Sequence, residues 1–210
     1  MESKYQTKQE DFWAGNFGNE YIQRNKSAQY LAANLNFFSK ALNNIPAPRS
    51  VIEFGANVGM NLAAFQLLFP ETIVKGIEIN ETAAEELVTR IGKDNVFNQS
   101  IFDFNVDEQF DLTLIKGVLI HINPDMLSTV YEKLYISSKK YILLCEYYNP
   151  SPVTIPYRGH SDRLFKRDFA GEMMDKYNDL KLVNYGFAYH RDNSFPQDDI
   201  TWFLMEKING

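Results

Sequence analysis

The residues that could do chemistry start with two carboxylates and a pair of glycines. In Glu53-Phe54-Gly55-Ala56-Asn57-Val58-Gly59 an acidic residue stands two places before the first glycine, and Glu78 follows Gly59 by 19 residues. Glycine at a turn lets backbone come close to a ligand, so Gly55 and Gly59 mark a cofactor turn. An acidic side chain about 20 residues further on is placed to bind ribose hydroxyls, a role open to Glu78 in Gly76-Ile77-Glu78-Ile79-Asn80. The dinucleotide fingerprint Gly-x-Gly-x-x-Gly has a middle glycine that this turn lacks. Glu53 would also repel a pyrophosphate, whereas S-adenosylmethionine (SAM) carries a positive ammonium and a positive sulfonium that a carboxylate attracts. Spacing and charge therefore favour SAM over NAD.

These residues need a scaffold, and the chain supplies an alternating one. Apolar positions recur at three- and four-residue spacing over residues 11–45, as in one or two amphipathic helices stopped by Pro46 and Pro48. Ser50-Val51-Ile52-Glu53-Phe54 reads as a strand running into the turn, and residues 60–69 as a helix ended by Pro70. Strands follow at 73–79, 96–99, 110–119 and 140–145, with helices at 81–91 and 124–138. This alternation predicts a parallel α/β sheet. After a helix over 168–177, strands at 182–190 and 200–206 are joined too closely for a parallel crossover and must pair antiparallel. The expected architecture is one domain: a helical cap over residues 1–48 and an α/β core over 49–210, with 146–167 as a long loop beside the site.

Composition narrows the partners. Net charge is −6 with 21 scattered Lys and Arg residues, which lacks the basic footprint of a nucleic-acid binder and favours a small-molecule substrate. A hydrophobic content of 45% suits a single buried core. The lone Cys145 has no internal disulfide partner, and the polar start of the chain resembles neither a secretory signal nor a membrane anchor. A cytoplasmic location is the expectation. The three histidines, His121, His160 and His190, are too widely spread for a metal-ligand pattern, so no metal is expected.

The segment from Val51 to Gly59, together with Glu78, resembles the first two motifs of class I SAM-dependent methyltransferases, a likeness that extends over residues 50–207. The resemblance implies a Rossmann-like, seven-stranded, mostly parallel sheet with an antiparallel last strand. Onto this chain it also carries cofactor roles. Ser100-Ile101-Phe102-Asp103 would meet the adenine, with Ile101 and Phe102 against the ring and Asp103 near its amino group. Lys116, Gly117 and Val118, at the end of the fourth strand, would lie beside the methyl group. A narrower resemblance, to methylases associated with pseudaminic acid biosynthesis, rests on three stretches. They are Phe12-Trp13-Ala14-Gly15-Asn16-Phe17-Gly18-Asn19-Glu20-Tyr21 with Arg24-Asn25, the turn continued through Met60-Asn61, and His121-Ile122-Asn123-Pro124. It implies methyl transfer to an anionic sugar or sugar nucleotide in the making of a nonulosonic acid or surface glycan. Ala56, Asn57, Asn61 and Ile79 would then join the cofactor set, and Tyr21 and Arg24 would close over it.

The acceptor side is read from His121 and the loop. His121, just past the fourth strand, has the pKa range of a general base, though a lone histidine can equally orient its loop by hydrogen bonding. Tyr157 and His160 are further catalytic candidates, the latter in a loop with Tyr147, Tyr148, Arg158, Arg163 and Lys166. There the cations suit a carboxylate or phosphate and the tyrosines a sugar ring. The same charges could simply pair with Asp162 and Asp168, and Trp13 could be a plug between helices. Methyl transfer to an O or N of a small anionic sugar is thus the expected activity. Methylation of another small metabolite, a non-catalytic SAM-binding regulator and a nicotinamide-dependent oxidoreductase stand as alternatives; the oligomeric state stays open.

Overall fold

The computed structural model describes residues 5–22 and 27–208. Three helices precede the sheet, α1 (Lys8–Ala14), α2 (Asn16–Ile22) and α3 (Ala28–Ala41), where periodicity alone suggested one or two. The extra start at Lys8 has a local cause. Thr7 caps α1 by accepting the Glu10 amide, and Glu10 reaches back to the Thr7 amide, satisfying two donors that a helix end would otherwise leave free.

The core then alternates β1 (Ser50–Phe54), α4 (Met60–Leu68), β2 (Ile73–Glu78), α5 (Glu81–Ile91), β3 (Val96–Asn98), β4 (Phe110–Lys116), α6 (Leu127–Ser137) and β5 (Ser138–Glu146). A two-residue ribbon, β6 (Val153–Thr154) with β7 (Phe165–Lys166), interrupts the long loop before α7 (Phe169–Lys176), β8 (Leu180–Ala188) and β9 (Ile200–Lys207). The sheet order is β3-β2-β1-β4-β5-β9-β8. β9 runs antiparallel to both of its neighbours while the other pairings are parallel, as the short connection between the last two strands required. The expected strand at 110–119 stops at Lys116. Gly117, at φ 67°, turns the chain out of the sheet, and Leu119–His121 forms a 3₁₀ turn instead.

Alternate strand residues face two apolar layers. Leu112, Leu114, Leu143 and Leu204 pack with α3, α4 and α5, and Ile52, Phe54, Ile115, Ile142 and Met205 with α6 and α7. Burial on both faces explains the continuous apolar runs of the central strands. Parallel register brings the carboxyl ends of the strands into line, Phe54 beside Ile77 and Ile115, and Lys116 beside Cys145. Gly55, Glu78, Gly117 and Glu146 therefore emerge along one edge, where ligands of open α/β sheets bind. No described helix is long and apolar enough to cross a membrane.

Over that edge lie α1 and α2. A Cβ on Gly18 would stand 1.9 Å from the Trp13 carbonyl oxygen and 2.7 Å from Asn80 Nδ2, so only glycine lets the two short helices fold against each other and onto the sheet. Gly18→Ala is expected to release α1 and α2 while the sheet persists. Limited proteolysis should show early cleavage within residues 5–22 around a resistant core, and wild-type resistance in the variant would contradict the assignment.

Candidate functional site

The cofactor turn is built from backbone that ordinary residues avoid. Gly55 and Gly59 have φ of 78° and 79°, and Asn57 joins them at 49°, a left-handed region open mainly to Gly and Asn. The amides of Gly55 and Ala56 both donate to the Ile77 carbonyl at 2.9 Å, tying the turn to β2. Space is also short: a Cβ on Gly55 would meet Val118 at 2.6 Å, and one on Gly59 would meet Leu87 at 2.5 Å.

Glu78 fixes the turn from the side. Its carboxylate accepts the Asn57 amide at 2.7 Å and the Asn80 amide at 2.8 Å. Burial pushes its pKa up, against the pull of these bonds. Glu53, fully buried in β1, is bonded on one side only. Its Oε1 accepts from Asn61 Nδ2 at 2.6 Å, while Glu53 Oε2 and Asn61 Oδ1 are buried with no hydrogen-bond partner. Burial raises the Glu53 pKa to about 8, although Asn61 and Lys116 both oppose the rise. Lys116 donates to Gln197 Oε1 at 3.2 Å and to the Tyr30 hydroxyl at 3.4 Å. Burial lowers its ammonium pKa, but Tyr30, Cys145 and Glu53 outweigh that and leave it raised.

The strand-four turn is held from below. Glu146, at the end of β5, accepts the Val118 and Leu119 amides at 2.9 Å each and the Ile120 amide at 3.5 Å. Burial raises its pKa to about 7, against those three bonds and Lys116. The turn so held presents His121. Its Nδ1 lies 2.6 Å from the Arg163 carbonyl oxygen, and a carbonyl only accepts, so Nδ1 carries the hydrogen and Nε2 the lone pair. Burial lowers the His121 pKa to about 4 in spite of that bond. Trp13 and Tyr157 flank the ring at 4.7 and 5.3 Å between centroids.

Between these walls runs a cleft of about 200 Å³, far more than the space of a bridging water. Of the expected cofactor residues, Tyr21, Gly55, Ala56, Asn57, Asn61, Glu78, Ile79, Ser100, Ile101, Phe102, Lys116, Gly117, Val118 and His121 line it. Glu53 lies behind the turn and meets the cleft through Asn61, and Gly59 shapes the turn without facing the cleft. Arg24 lies outside the described residues. Asp103 is a correction. The amides of Asp103 and Phe104 both bond back to the Ser100 carbonyl, a turn that buries Phe104 and sends Asp103 outward to accept from Gln6 at 3.1 Å.

The acceptor loop departs further from expectation. Only Tyr147 and Tyr157 of its expected residues line the cleft. His160 is exposed, edge-on to Phe12, and Tyr148 packs on Phe203. The cations are spent on rings and neighbours: Arg158 over Phe17 and Tyr157, Arg163 over Phe12 and paired with Asp162, Lys166 over Tyr147. A loop this rich in aromatics captures cations on ring faces, which sequence spacing does not reveal. Several lining residues were not singled out: Thr7 at the cap of the first helix, Gln9 and Glu10 within it, Asn80, Tyr30 and Asp198. The Thr7-x-x-Glu10 pattern was a legible helix start; nothing local marked Glu146. No group of three or more His, Cys, Asp or Glu residues suited to a metal occurs among the described residues.

No protein-family model matches the chain, and no curated protein matches it in sequence. Its structure is similar to magnesium protoporphyrin IX methyltransferase from Synechocystis PCC 6803 with bound SAM, at TM-score 0.66 and 12% identity, covering 98% of this chain and 100% of that one. It is also similar to 1,6-didemethyltoxoflavin-N1-methyltransferase of Burkholderia thailandensis with its substrate and S-adenosylhomocysteine (SAH) bound, at TM-score 0.69 and 16% identity over 95% of this chain and 86% of that one. A third similar structure is the plantazolicin methyltransferase with SAH, at TM-score 0.62 and 12% identity over 95% and 93%. The fold is thus the Rossmann-like fold of class I methyltransferases.

The buried carboxylates make stability depend on pH. With folded pKa values of about 8 for Glu53 and about 7 for Glu146, the native state keeps protons that the unfolded chain releases above its ordinary 4.5. The contribution of these two groups is therefore full at low pH and declines as pH rises through this window, by about 1 kcal/mol per pH unit for each, while His121, lowered from 6.5 to about 4, acts in the opposite sense between those two values. Urea unfolding from about pH 5 to pH 7 should show that decline, and Glu53→Gln should make it shallower; an unchanged slope would contradict the burial assigned to Glu53.

Proposed function

We propose that this chain is a SAM-dependent methyltransferase acting on a small molecule. One observation carries the reading: behind the turn, Glu53 Oε2 and Asn61 Oδ1 are buried acceptors without partners, and Asn61 lines the same cleft as Ile101 and Phe102. Buried acceptors without donors are costly, and an ammonium brought by a ligand would relieve both. The residues fit SAM in two further respects. Glu78 can accept ribose hydroxyls while it holds the turn, and Ile101 and Phe102, which line the cleft, give a purine an apolar face.

Bound SAM supplies an electrophilic methyl group and departs as SAH. The chain's own residues have to align the acceptor, keep water away and take up a proton. Trp13, Tyr147, Tyr157, Leu164 and Ile200 line the side of the cleft around His121 and exclude water there. His121 lines the cleft, and with its hydrogen on Nδ1 its Nε2 keeps a lone pair that can receive the proton an acceptor hydroxyl or ammonium loses. With a pKa near 4, it is unprotonated throughout the neutral range.

For the acceptor we put forward an O or N of a small anionic sugar or sugar nucleotide, of the nonulosonic, pseudaminic type. Support comes from the sequence resemblance around Phe12 to Tyr21, the turn and His121. The neighbours' acceptors, a porphyrin and a toxoflavin precursor among them, are chemically diverse, and fold does not choose between them.

Calorimetry is expected to show SAM binding to the wild type and at least tenfold weaker binding to Glu78→Ala; no wild-type binding would overturn the proposal. With a methyl acceptor found, His121→Asn is expected to lower kcat by about 10²–10⁴-fold, the range of a lost general base, with little change in SAM affinity. An unaltered kcat would remove His121 from the chemistry. In a panel of pseudaminic-type sugars, their nucleotide forms and uncharged aromatic acceptors, methyl transfer is expected to the anionic sugars. Transfer to the uncharged acceptors alone would contradict the sugar reading and leave the methyltransferase reading intact.

A further inference from the structure

We infer that Glu10, on the first helix of the N-terminal cap, is the residue that reads the amino group of the cofactor's adenine. The inference rests on the SAM reading and assigns a task that the family resemblance implied for Asp103.

Glu10 is 7% exposed, lines the cleft, and is joined to Ser100, the first residue of the adenine-side loop. Its hydrogen-bond count leaves one place open. A carboxylate offers about four lone-pair sites. Oε2 accepts the Thr7 amide at 2.9 Å and the Thr7 hydroxyl at 3.2 Å, while Oε1 accepts the Ser100 hydroxyl. One site on Oε1 remains. The hydroxyls of Thr7 and Ser100 have both turned their hydrogens toward Glu10, so these three side chains present acceptors and no donor to a ligand. Such a corner binds an exocyclic N–H and disfavours a carbonyl at the same position. Ile101 and Phe102, beside Ser100 on the same cleft, supply the face on which a purine ring would lie. Asp103, exposed and bonded to Gln6 outside the cleft, cannot serve in this geometry.

The distinction between 6-amino and 6-oxo purine gives a test that structural damage cannot imitate. Dissociation constants are measured for SAH and for S-inosylhomocysteine, which has a 6-oxo group in place of the amino group. Wild type is expected to favour SAH by at least about tenfold. In Glu10→Gln the side-chain amide can donate to the 6-oxo group, and the preference should fall toward unity or invert. Glu10→Asp, which withdraws the carboxylate by one methylene, should also lose preference. Asp103→Asn should keep it, as should Thr7→Ala, which breaks the helix cap but leaves the carboxylate. If Glu10 only supports the helix, both affinities fall together and the ratio stands, which would overturn the inference. Loss of the ratio in Asp103→Asn, or no wild-type preference, would overturn it too. A wild type that binds neither ligand would instead sink the SAM reading beneath it.

Discussion

Burying carboxylates along one edge of the sheet is the constraint on which the site depends. A buried carboxylate costs several kcal/mol unless hydrogen bonds replace its water, and the fold answers with backbone amides. Glu78 takes the amides of Asn57 and Asn80, Glu146 those of Val118, Leu119 and Ile120. Each thereby fixes a turn, one after β1 and one after β4, and both turns line the cleft. Glu53 breaks the pattern, because one of its oxygens is left without a donor. That unsatisfied oxygen is the observation on which the proposed binding of a cationic ligand rests.

The N-terminal helices share in the same network. Glu10 meets Ser100, Gln9 donates to the Asp162 carbonyl at 2.9 Å, Trp13 packs on His121, and Asn80 donates to Asn19 at 2.8 Å. These contacts reach the adenine-side loop, the end of β2 and the acceptor loop from a stretch of two short helices. Neither helix has the length to be stable alone, so their order depends on the sites they cover. The acceptor loop is tied in from its own side by the Arg163 carbonyl, which sets the tautomer of His121.

How much of this was legible in the sequence follows from how local each signal was. The turn, Glu78 and the antiparallel close of the sheet were readable because strand, glycine and strand spacing act over neighbouring residues. The cap was half legible: apolar spacing gave helices, while the Thr7 to Glu10 capping box moved the start to Lys8. Asp103 was misplaced because a tight turn at Ser100 exchanges which of Asp103 and Phe104 points inward. Arg158, Arg163 and Lys166 had the right chemistry for an anion, but aromatic faces hold them in positions that spacing does not encode. Glu146 and Glu10 act on segments 26–28 and 90 residues away, and no local pattern carries that.

A crystal structure of the protein with SAH is the most direct measurement of the central claim. The ligand's ammonium should lie within hydrogen-bonding distance of Glu53 Oε2 and Asn61 Oδ1, with its ribose hydroxyls on Glu78. An SAH molecule bound elsewhere, or bound in the cleft with its ammonium turned away from Glu53, would contradict the account.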